Sequence, residues 1–151
     1  MKKEDKELLL KDLSARLSYG VICNTPKGDG HLCSINQTIF GTKYGINIKA
    51  TERDYFNDKE VCIKPYLRPM SSMTEEEKKE YIEYAGYEIE ESVNGRHYEY
   101  YLKDFVGTQE EPIANVDAID WLNAHHFDYR GLIEKNIALD CTGLHIYMIN
   151  C

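Results

Sequence analysis

The sequence has few of the features that tie a chain to one kind of chemistry. It has five cysteines but no CxxC pair, and its adjacent histidines are not arranged as HExxH. The glycines on either side of Asp29 lack the lysine and hydroxyl that complete a phosphate-binding loop. These absences remove the simplest sequence signatures of a zinc site, a metalloprotease and a nucleotide-binding loop.

Long apolar runs and clusters of positive charge are also missing. No stretch is long and apolar enough for an export signal or a membrane span, so we expect a cytoplasmic protein that does not bind membranes. The formal net charge is −8 and no group of Lys and Arg stands out, which argues against binding to a nucleic-acid backbone. The cysteine spacing favours reduced thiols in the core, as we expect for Cys23, Cys33 and Cys62, and no cofactor is predicted.

The residues that are present predict one folded α+β domain over residues 1–151. With 42% hydrophobic residues, a chain of this length can bury a core without disulfides or metals. Twelve tyrosines suit half-buried sheets and equally suit an interaction face. The apolar pattern predicts a small curved antiparallel sheet or partial barrel with an N-terminal helix, a capped central helix, a hairpin and a C-terminal helix-loop unit.

The helices have the clearest local signals. Leucines at helical spacing predict an amphipathic helix over residues 3–17. Thr74 followed by Glu77 forms a capping-box pattern, which predicts that the central helix begins there. A shorter helix is predicted over residues 116–123, with Asn115 as its cap.

The strands are predicted from short apolar runs between turn residues. Pro65 has no N–H to donate, so its strand is expected at a sheet edge or a bulge. The charged segment 51–58 is ambiguous, and Thr51 could cap a single helical turn there. Asn94–Gly95 predicts a hairpin turn, and residues 137–149 a terminal strand. Four strands are predicted ahead of the central helix, at residues 19–23, 31–40, 46–48 and 61–67.

The densest group of chemically capable side chains consists of five residues in the run 125–130: His125, His126, Asp128, Tyr129 and Arg130. Adjacent histidines beside an aspartate could ligate a metal or form an acid–base pair. The arginine with the histidines could instead recognise a partner or a small anion. The alternative is structural, with Asp128 and Arg130 forming an ion pair or capping helix ends while the aromatic rings anchor the loop in the core.

A second candidate lies between two prolines. Tyr66 and Arg68 stand between Pro65 and Pro69, and Met70 follows them. Arginine beside aromatic residues is typical of recognition surfaces, where these residue types often contribute much of the binding energy. The same composition also suits the packing of a strand.

Three blocks of sequence carry a resemblance to a known family. They are KDLSARLSYGVIC at residues 11–23, IKPYLRPMSSMTEEEKKEY at 63–81 and DWLNAHHFDYRGLIEKNIALD at 120–140. In these blocks, which cover about a third of the chain, the sequence resembles a family of small uncharacterised proteins from gut Bacteroides-type bacteria and their phages or prophages. The resemblance implies a bacterial or phage cytoplasm and an accessory role on a mobile element. It implies no reaction and no catalytic residue.

The function favoured by the sequence is non-enzymatic binding of a protein partner or a small anionic ligand through a surface with aromatic residues and arginine. The acidic chain would suit a basic protein partner. A small metal-dependent or acid–base enzyme that uses His125, His126 and Asp128 is the competing hypothesis. The third is a phage accessory protein that sequesters a small nucleotide, with tyrosines stacking on the base. The sequence predicts no oligomeric state.

Overall fold

The computed structural model describes residues 1–57, 61–85 and 116–147 of the chain. In that part of the chain the helices are α1 (Lys3–Arg16), α2 (Glu75–Ala85) and α3 (Val116–Ala124), with short 3₁₀ turns at Leu17–Tyr19 and Met70–Ser72. The strands are β1 (Ile22–Thr25), β2 (Gly28–Thr38), β3 (Gly41–Ile48), β4 (Thr51–Phe56), β5 (Lys64–Pro69), β6 (Phe127–Asp128) and β7 (Leu139–Asp140). Helices combined with one curved sheet confirm the predicted α+β fold.

All three predicted helices are present, and the capping box of α2 forms as expected. The Glu77 N–H donates to the Thr74 hydroxyl, and the Thr74 N–H donates to the Glu77 carboxylate, both at 3.1 Å. The cap predicted at Asn115 and the hairpin turn predicted at Asn94–Gly95 lie outside the described residues. None of the helices in the described ranges is both long and apolar enough to cross a membrane.

The strands form one sheet in the order β4-β3-β2-β1-β5-β6, and β7 pairs with β5 as well. Neighbours from β4 to β5 are antiparallel, whereas β6 and β7 each pair with β5 in parallel over two residues. Within the described residues the sheet is therefore mixed rather than purely antiparallel, and it stays open instead of closing into a barrel.

The edge position expected for β5 is not observed. Pro65 pairs with Cys23 of β1, and further along β5 the parallel pairs Tyr66↔Leu139 and Arg68↔Phe127 join β7 and β6. Pro65 is only the second residue of the strand, ahead of the first parallel pair. The missing N–H therefore does not interrupt those two parallel ladders. Proline is tolerated in a strand at such a place, close to its start.

The helical turn considered for residues 51–58 is also not observed. The strand β4 pairs with β3 from Ile48↔Thr51 to Lys43↔Phe56. Lys49 and Ala50, with φ of 49° and 65°, form the turn between the two strands, and positive φ at both positions suits the right-handed twist of a hairpin. The sequence does not indicate this strand because its first four residues are polar and exposed, three of them charged, which leaves no apolar alternation to detect.

The C-terminal strand predicted over residues 137–149 is shorter in the structure. Within the described residues 137–147 only β7 is strand, and residues 144–147 are irregular; the last two residues of the predicted strand lie outside the described part. Tyr147 instead crosses back to the sheet, where its hydroxyl donates to the Tyr66 carbonyl at 2.7 Å and accepts from the Ile22 N–H at 3.0 Å. This one side chain therefore bridges β1 and β5 where their own pairing ends.

Two apolar clusters make up the core of the described residues. The larger lies between α1, the sheet and the turn at residues 132–138, and it contains the fully buried Leu9 and Leu13. The smaller joins α2 and α3 around Trp121 and Phe127. The larger cluster puts α1 on the same side of the sheet as the inward side chains of β2 and β3, so the opposite face of those strands points away from the core.

The cysteines follow the core prediction only in part. Cys23 is buried, whereas Cys33 is exposed on β2 and Cys62 is half-buried ahead of β5. A strand position alone does not decide burial, because side chains alternate between the two faces of a sheet. Desolvation raises the pKa of Cys23 and of Cys33, so neither thiol has the lowered pKa of an activated nucleophile.

Candidate functional site

The loop at residues 125–130 follows α3 directly and folds back onto the sheet. Its backbone turns at His126, whose φ of 63° lies in the left-handed region. The turn brings β6 alongside β5, and the N–H of Arg68 donates to the His126 carbonyl at 2.8 Å. The structure therefore brings the two predicted candidates together, the loop on one side and Tyr66 with Arg68 on the other.

The two histidines of the loop point to different neighbours. The His125 ring stacks on Trp121 at 3.9 Å between centroids and its Nδ1 lies 2.8 Å from the Trp121 carbonyl. The His126 ring stacks on Tyr147 at 3.5 Å, and burial, with nearby cations adding to it, lowers the pKa of His126 to about 3. In the described ranges no group of three or more His, Cys, Asp or Glu side chains is placed to hold a metal ion.

Asp128 holds the turn that follows the loop. Its two carboxylate oxygens accept hydrogen bonds from the N–H groups of Leu132 and Ile133, each at 2.9 Å. This is a capping arrangement of the kind considered for Asp128 from sequence. The ion pair considered between Asp128 and Arg130 is not observed. Arg130 instead pairs with Asp12, with its Nε 3.4 Å from the Asp12 carboxylate.

Asp12 and Arg16 form a fully buried ion pair behind the loop. The Arg16 guanidinium donates to Asp12 at 2.8 and 3.1 Å, and the same group donates to the Phe127 carbonyl at 2.6 Å. Burial raises the pKa of Asp12, while the Arg16 and Arg130 guanidiniums oppose that rise. The pair therefore ties the C-terminal end of α1 to the loop backbone.

Tyr129 and Arg130 complete the same network. The Tyr129 hydroxyl donates to Asn123 at 2.8 Å and accepts from Arg130 at 3.3 Å. The guanidiniums of Arg16 and Arg130 lie 5.2 and 4.9 Å from the centroid of the Tyr129 ring, within the range of a cation–π contact. Arg130, which was predicted with the histidines to recognise a partner, is thus engaged inside the fold together with Tyr129.

The sequence carried a signal for this network that composition alone does not show. Asp12 and Arg16 lie three and seven residues after Leu9, on the helix face that also carries Leu13. Helical periodicity therefore places both charges on the buried stripe of α1. Two opposite charges four residues apart on such a stripe predict a buried pair that needs a polar partner from elsewhere in the chain.

Tyr66 and Arg68 are also satisfied by neighbours in the fold. The buried Tyr66 donates its hydroxyl hydrogen to Asp29 at 3.0 Å. Arg68 makes a two-pronged contact with Glu77 at 2.8 and 2.7 Å, and its guanidinium lies 4.2 Å from the Phe127 ring centroid. Burial raises the pKa of Glu77, but the hydrogen bonds from Arg68 and from the Thr74 backbone outweigh it and the pKa lies below its usual range.

An exposed apolar site lies elsewhere, at the turn between β2 and β3. Ile39 and Phe40 form this site, the hairpin tip, and are 93% and 75% exposed. They are the two residues between the last strand pair, Thr38↔Gly41. Both side chains therefore project from the end of the longest hairpin in the described sheet and are largely exposed there.

The hairpin tip has a structural twin in the turn between β1 and β2. The sequence is Thr-Pro-Lys-Gly in the twin, at residues 25–28, and Thr-Ile-Phe-Gly at 38–41. In each turn the threonine hydroxyl donates to the glycine carbonyl, at 2.7 and 2.9 Å, and accepts from the third residue's N–H at 3.1 Å. The twin exposes proline and lysine, so this backbone geometry does not require apolar side chains.

The strand predicted over residues 31–40 includes the hairpin tip, whereas in the structure β2 ends at Thr38 and the tip is a turn. The signal that would have identified it is the repeated Thr-x-x-Gly pattern, in which both glycines adopt a positive φ, 125° at Gly28 and 117° at Gly41. Threonine favours turns through its hydroxyl and glycine accepts positive φ without strain. Two apolar residues between them predict an exposed apolar turn.

The outer face of β2–β4, which points away from α1, adjoins the hairpin tip. Alternation along β3 puts Lys43, Gly45 and Asn47 on this face, opposite Phe56, Asp54 and Glu52 of β4. Lys43 and Asp54 form an ion pair at 3.7 Å. The Glu52 carboxylate accepts a hydrogen bond from the Ser34 hydroxyl at 3.0 Å. The face is therefore polar, with charged groups in fixed positions beside an apolar end.

No family model, no curated protein and no solved structure matches this chain. The chain's own geometry thus remains the guide to its function. The loop at residues 125–130 is engaged within the fold, whereas the hairpin tip is exposed.

Proposed function

We propose that the protein is a non-enzymatic interaction module that inserts the hairpin tip into an apolar pocket of a protein partner. The observation that carries the proposal is the exposure of Ile39 and Phe40 in a turn whose polar twin has the same hydrogen bonds. Exposed apolar side chains without a folding role are a common mark of a binding surface. The tip differs from the aromatic and arginine surface expected from the sequence, although the class of function is the same.

Two side chains are enough for a useful contact. Transferring one large apolar side chain from water to an apolar site stabilises a complex by about 1.5–3 kcal/mol. The two side chains of the tip therefore contribute roughly 3–6 kcal/mol to the free energy of binding. Interfaces commonly concentrate their binding energy in a few such residues at the centre. A tight two-residue turn also presents them without loss of backbone freedom on binding, which favours affinity.

The size of the tip favours insertion into a pocket over contact with a second copy. Two tips packed against each other would bury roughly 800 Å², taking about 200 Å² for each of four side chains. Stable protein interfaces bury about 1,200–2,000 Å² in total. A pocket in a partner instead surrounds both side chains and brings its own rim into contact.

The charge of the chain favours a basic protein as that partner. With a net charge of −8, the chain is repelled by nucleic-acid phosphates and by anionic lipid surfaces. The setting that we propose is the cytoplasm of a bacterium or of its phage, supported by the resemblance of the three sequence blocks to proteins of that origin. An accessory role on a mobile element fits a module that acts by binding another protein.

Photo-crosslinking tests the proposal directly. Benzoylphenylalanine replaces Phe40 in one variant and Lys27, at the equivalent position of the twin turn, in a matched control. After irradiation in an extract of the native host, we expect the variant at 40 to give a defined covalent product that the variant at 27 does not. Equal products from both positions, or none from position 40, would overturn the proposed function.

A further inference from the structure

Building on the insertion of the hairpin tip, we infer that the partner carries a basic side chain beside its pocket that pairs with Glu52. The docking surface then consists of the tip and the outer face of β2–β4. It recognises an apolar pocket and a cation held together on one protein. The fixed position of the Glu52 carboxylate and the pattern of ion pairs around it carry this inference.

The Glu52 carboxylate is held in place although the residue is exposed. Its Oε1 accepts from the Ser34 hydroxyl at 3.0 Å. It lies across Gly45, where an added Cβ would collide with both the carboxylate and the Ser34 hydroxyl. The bare glycine thus leaves the space in which the carboxylate rests against the sheet. A carboxylate that is already ordered loses little side-chain freedom when a cation binds it.

The surrounding charges leave this carboxylate available. Lys43, on the same face, pairs with Asp54 at 3.7 Å. Arg53 lies on the other face, because it pairs with Ile46 of the core side. Asp29, on the same face of β2, also has no ion pair, but its carboxylate accepts hydrogen bonds from Asn24 and Tyr66. On the described part of this face, the Glu52 carboxylate accepts from the Ser34 hydroxyl and has no cation beside it. A partner's lysine or arginine supplies the missing charge.

The distance between Glu52 and the hairpin tip is short enough for one partner surface to contact both. Glu52 stands opposite Asn47, six residues along β3 from Gly41 at the tip. At about 3.4 Å per residue, this separates the carboxylate from the tip by roughly 20 Å. A standard interface of about 800 Å² on each partner spans that distance. The apolar contact then sits at one end of the interface and the charge pair nearer its rim.

The test compares three proteins that all carry benzoylphenylalanine at position 40: the otherwise unchanged chain, Glu52→Gln and Glu7→Gln. Glu7→Gln makes the same change in net charge, on the exposed side of α1. The yield of the crosslink at position 40 is measured in host extract at limiting protein concentration and at rising NaCl. We expect Glu52→Gln to require roughly tenfold more protein for equal yield, and Glu7→Gln to behave as the unchanged chain.

Salt and peptide mapping supply two independent readouts. The yield of the unchanged chain should fall between about 0.05 and 0.5 M NaCl, while that of Glu52→Gln depends less on salt. Mass spectrometry of the crosslinked product should place the attachment in an apolar segment of a partner that has lysine or arginine close by. Unchanged circular dichroism and melting temperature show that each variant is folded.

The outcomes separate the inference from the proposed function. A position-40 crosslink that Glu52→Gln leaves unchanged overturns the charge pairing while the interaction module stands. Loss of the crosslink at position 40 in every protein overturns both. Tip-dependent sedimentation with phosphatidylcholine–phosphatidylglycerol vesicles, absent after Phe40→Lys, would show that the tip enters a lipid surface and would overturn the protein pocket.

Discussion

The loop at residues 125–130 and the hairpin tip are opposites in chemistry and in availability. The loop holds histidine, aspartate, tyrosine and arginine, and the fold engages them with the Asp12–Arg16 pair, Trp121 and Tyr147. The tip holds two hydrocarbon side chains without a polar group, and both are exposed. The chemically capable side chains of the loop are thus engaged within the fold, whereas the exposed hairpin tip carries only hydrocarbon.

The difference shows what each region contributes to the folded state. A buried polar network stabilises only when its members satisfy one another, and removing one member leaves the others unpaired at high cost. An exposed apolar pair has no such partners, so its removal leaves the fold unaffected. The energetic consequences of substitution therefore distinguish a structural cluster from a binding surface, and the two regions should lie at opposite ends of that scale.

The largest effect is expected for Arg16→Met. The substitution leaves Asp12 buried with only the more distant Arg130 and removes the shorter of two hydrogen bonds to the Phe127 carbonyl, which keeps the Tyr129 N–H as a donor at 3.2 Å. We expect a loss of about 3–5 kcal/mol in the free energy of unfolding, since breaking a buried pair strands a charge. Urea denaturation followed by tryptophan fluorescence measures it, because Trp121 packs on the loop.

Two controls sharpen this prediction. Lys3→Met removes an exposed pair with Glu7 at 3.8 Å and should change stability by less than about 0.5 kcal/mol. The double variant Asp12→Leu with Arg16→Met removes both charges and should recover part of the loss. A loss below about 1 kcal/mol for Arg16→Met alone would mean that the network does not hold the loop.

A smaller effect is expected for Asp128→Ala. The carboxylate satisfies the N–H groups of Leu132 and Ile133 inside the fold, so its removal leaves two donors without an acceptor. We expect a loss of about 2 kcal/mol from the same denaturation measurement. Asp140→Ala is the matched control, because Asp140 accepts from the Thr142 N–H in an exposed turn. Equal losses for the two variants would contradict a special role for Asp128.

Much of the fold could be predicted because the signals are local. The capping box at Thr74 and Glu77 specifies the start of α2, and leucine spacing specifies α1. The arrangement of β5 could not be predicted, because its parallel partners β6 and β7 come from sequence more than fifty residues away. β4 could not be predicted because its first four residues are polar and exposed, and strand signals rest on apolar alternation.

The candidate site was predictable in composition but not in role. Residues 125–130 carry functional groups, yet their engagement depends on Asp12, Arg16 and Tyr147, which lie far away in the sequence. The hairpin tip was missed because apolar residues in an apolar run suggest a strand, and only the turn geometry shows that they are exposed. The sequence shows which functional groups are present, whereas nonlocal packing decides whether those side chains are free to bind a ligand.

The pH dependence of stability tests how closely the loop is packed against Tyr147. Burial and nearby cations lower the pKa of His126 to about 3 from 6.5. As pH falls, the unfolded chain therefore takes up a proton at this residue before the folded chain does. The contribution of His126 to the free energy of unfolding is complete above pH 6.5 and declines from there towards pH 3. The slope from this residue is at most about 1.4 kcal/mol per pH unit.

The measurement compares the chain with His126→Gln between pH 7.5 and 5. The substitution should remove the contribution of His126, so the stability difference between the two proteins narrows as pH falls. NMR provides a direct check, because the His126 ring signal of the folded protein should not shift across this range. A ring that titrates near pH 6.5 would show that it is solvated and that the stack on Tyr147 is open.

The smallest effect on stability is expected at the hairpin tip. Changing Ile39→Pro with Phe40→Lys converts the second turn into a copy of its twin, Thr-Pro-Lys-Gly, whose threonine and glycine make the same hydrogen bonds. The fold already accommodates this sequence at residues 25–28. We therefore expect the free energy of unfolding to change by less than about 0.5 kcal/mol, equivalent to at most about 2 °C in melting temperature.

The same variant should lose partner binding. Lost binding at unchanged stability is a combination that a turn with a purely structural role cannot give. The reciprocal change at the twin, Pro26→Ile with Lys27→Phe, creates a second apolar tip on the same backbone and restores no binding when the true tip is absent. Differential scanning calorimetry measures the stability of each variant. Partner binding is measured by competition, as the ability of a variant to reduce the crosslink that the chain with benzoylphenylalanine at position 40 forms. A destabilisation above about 1 kcal/mol on conversion of the tip would show that Ile39 and Phe40 support the fold, because side chains in water contribute little to it.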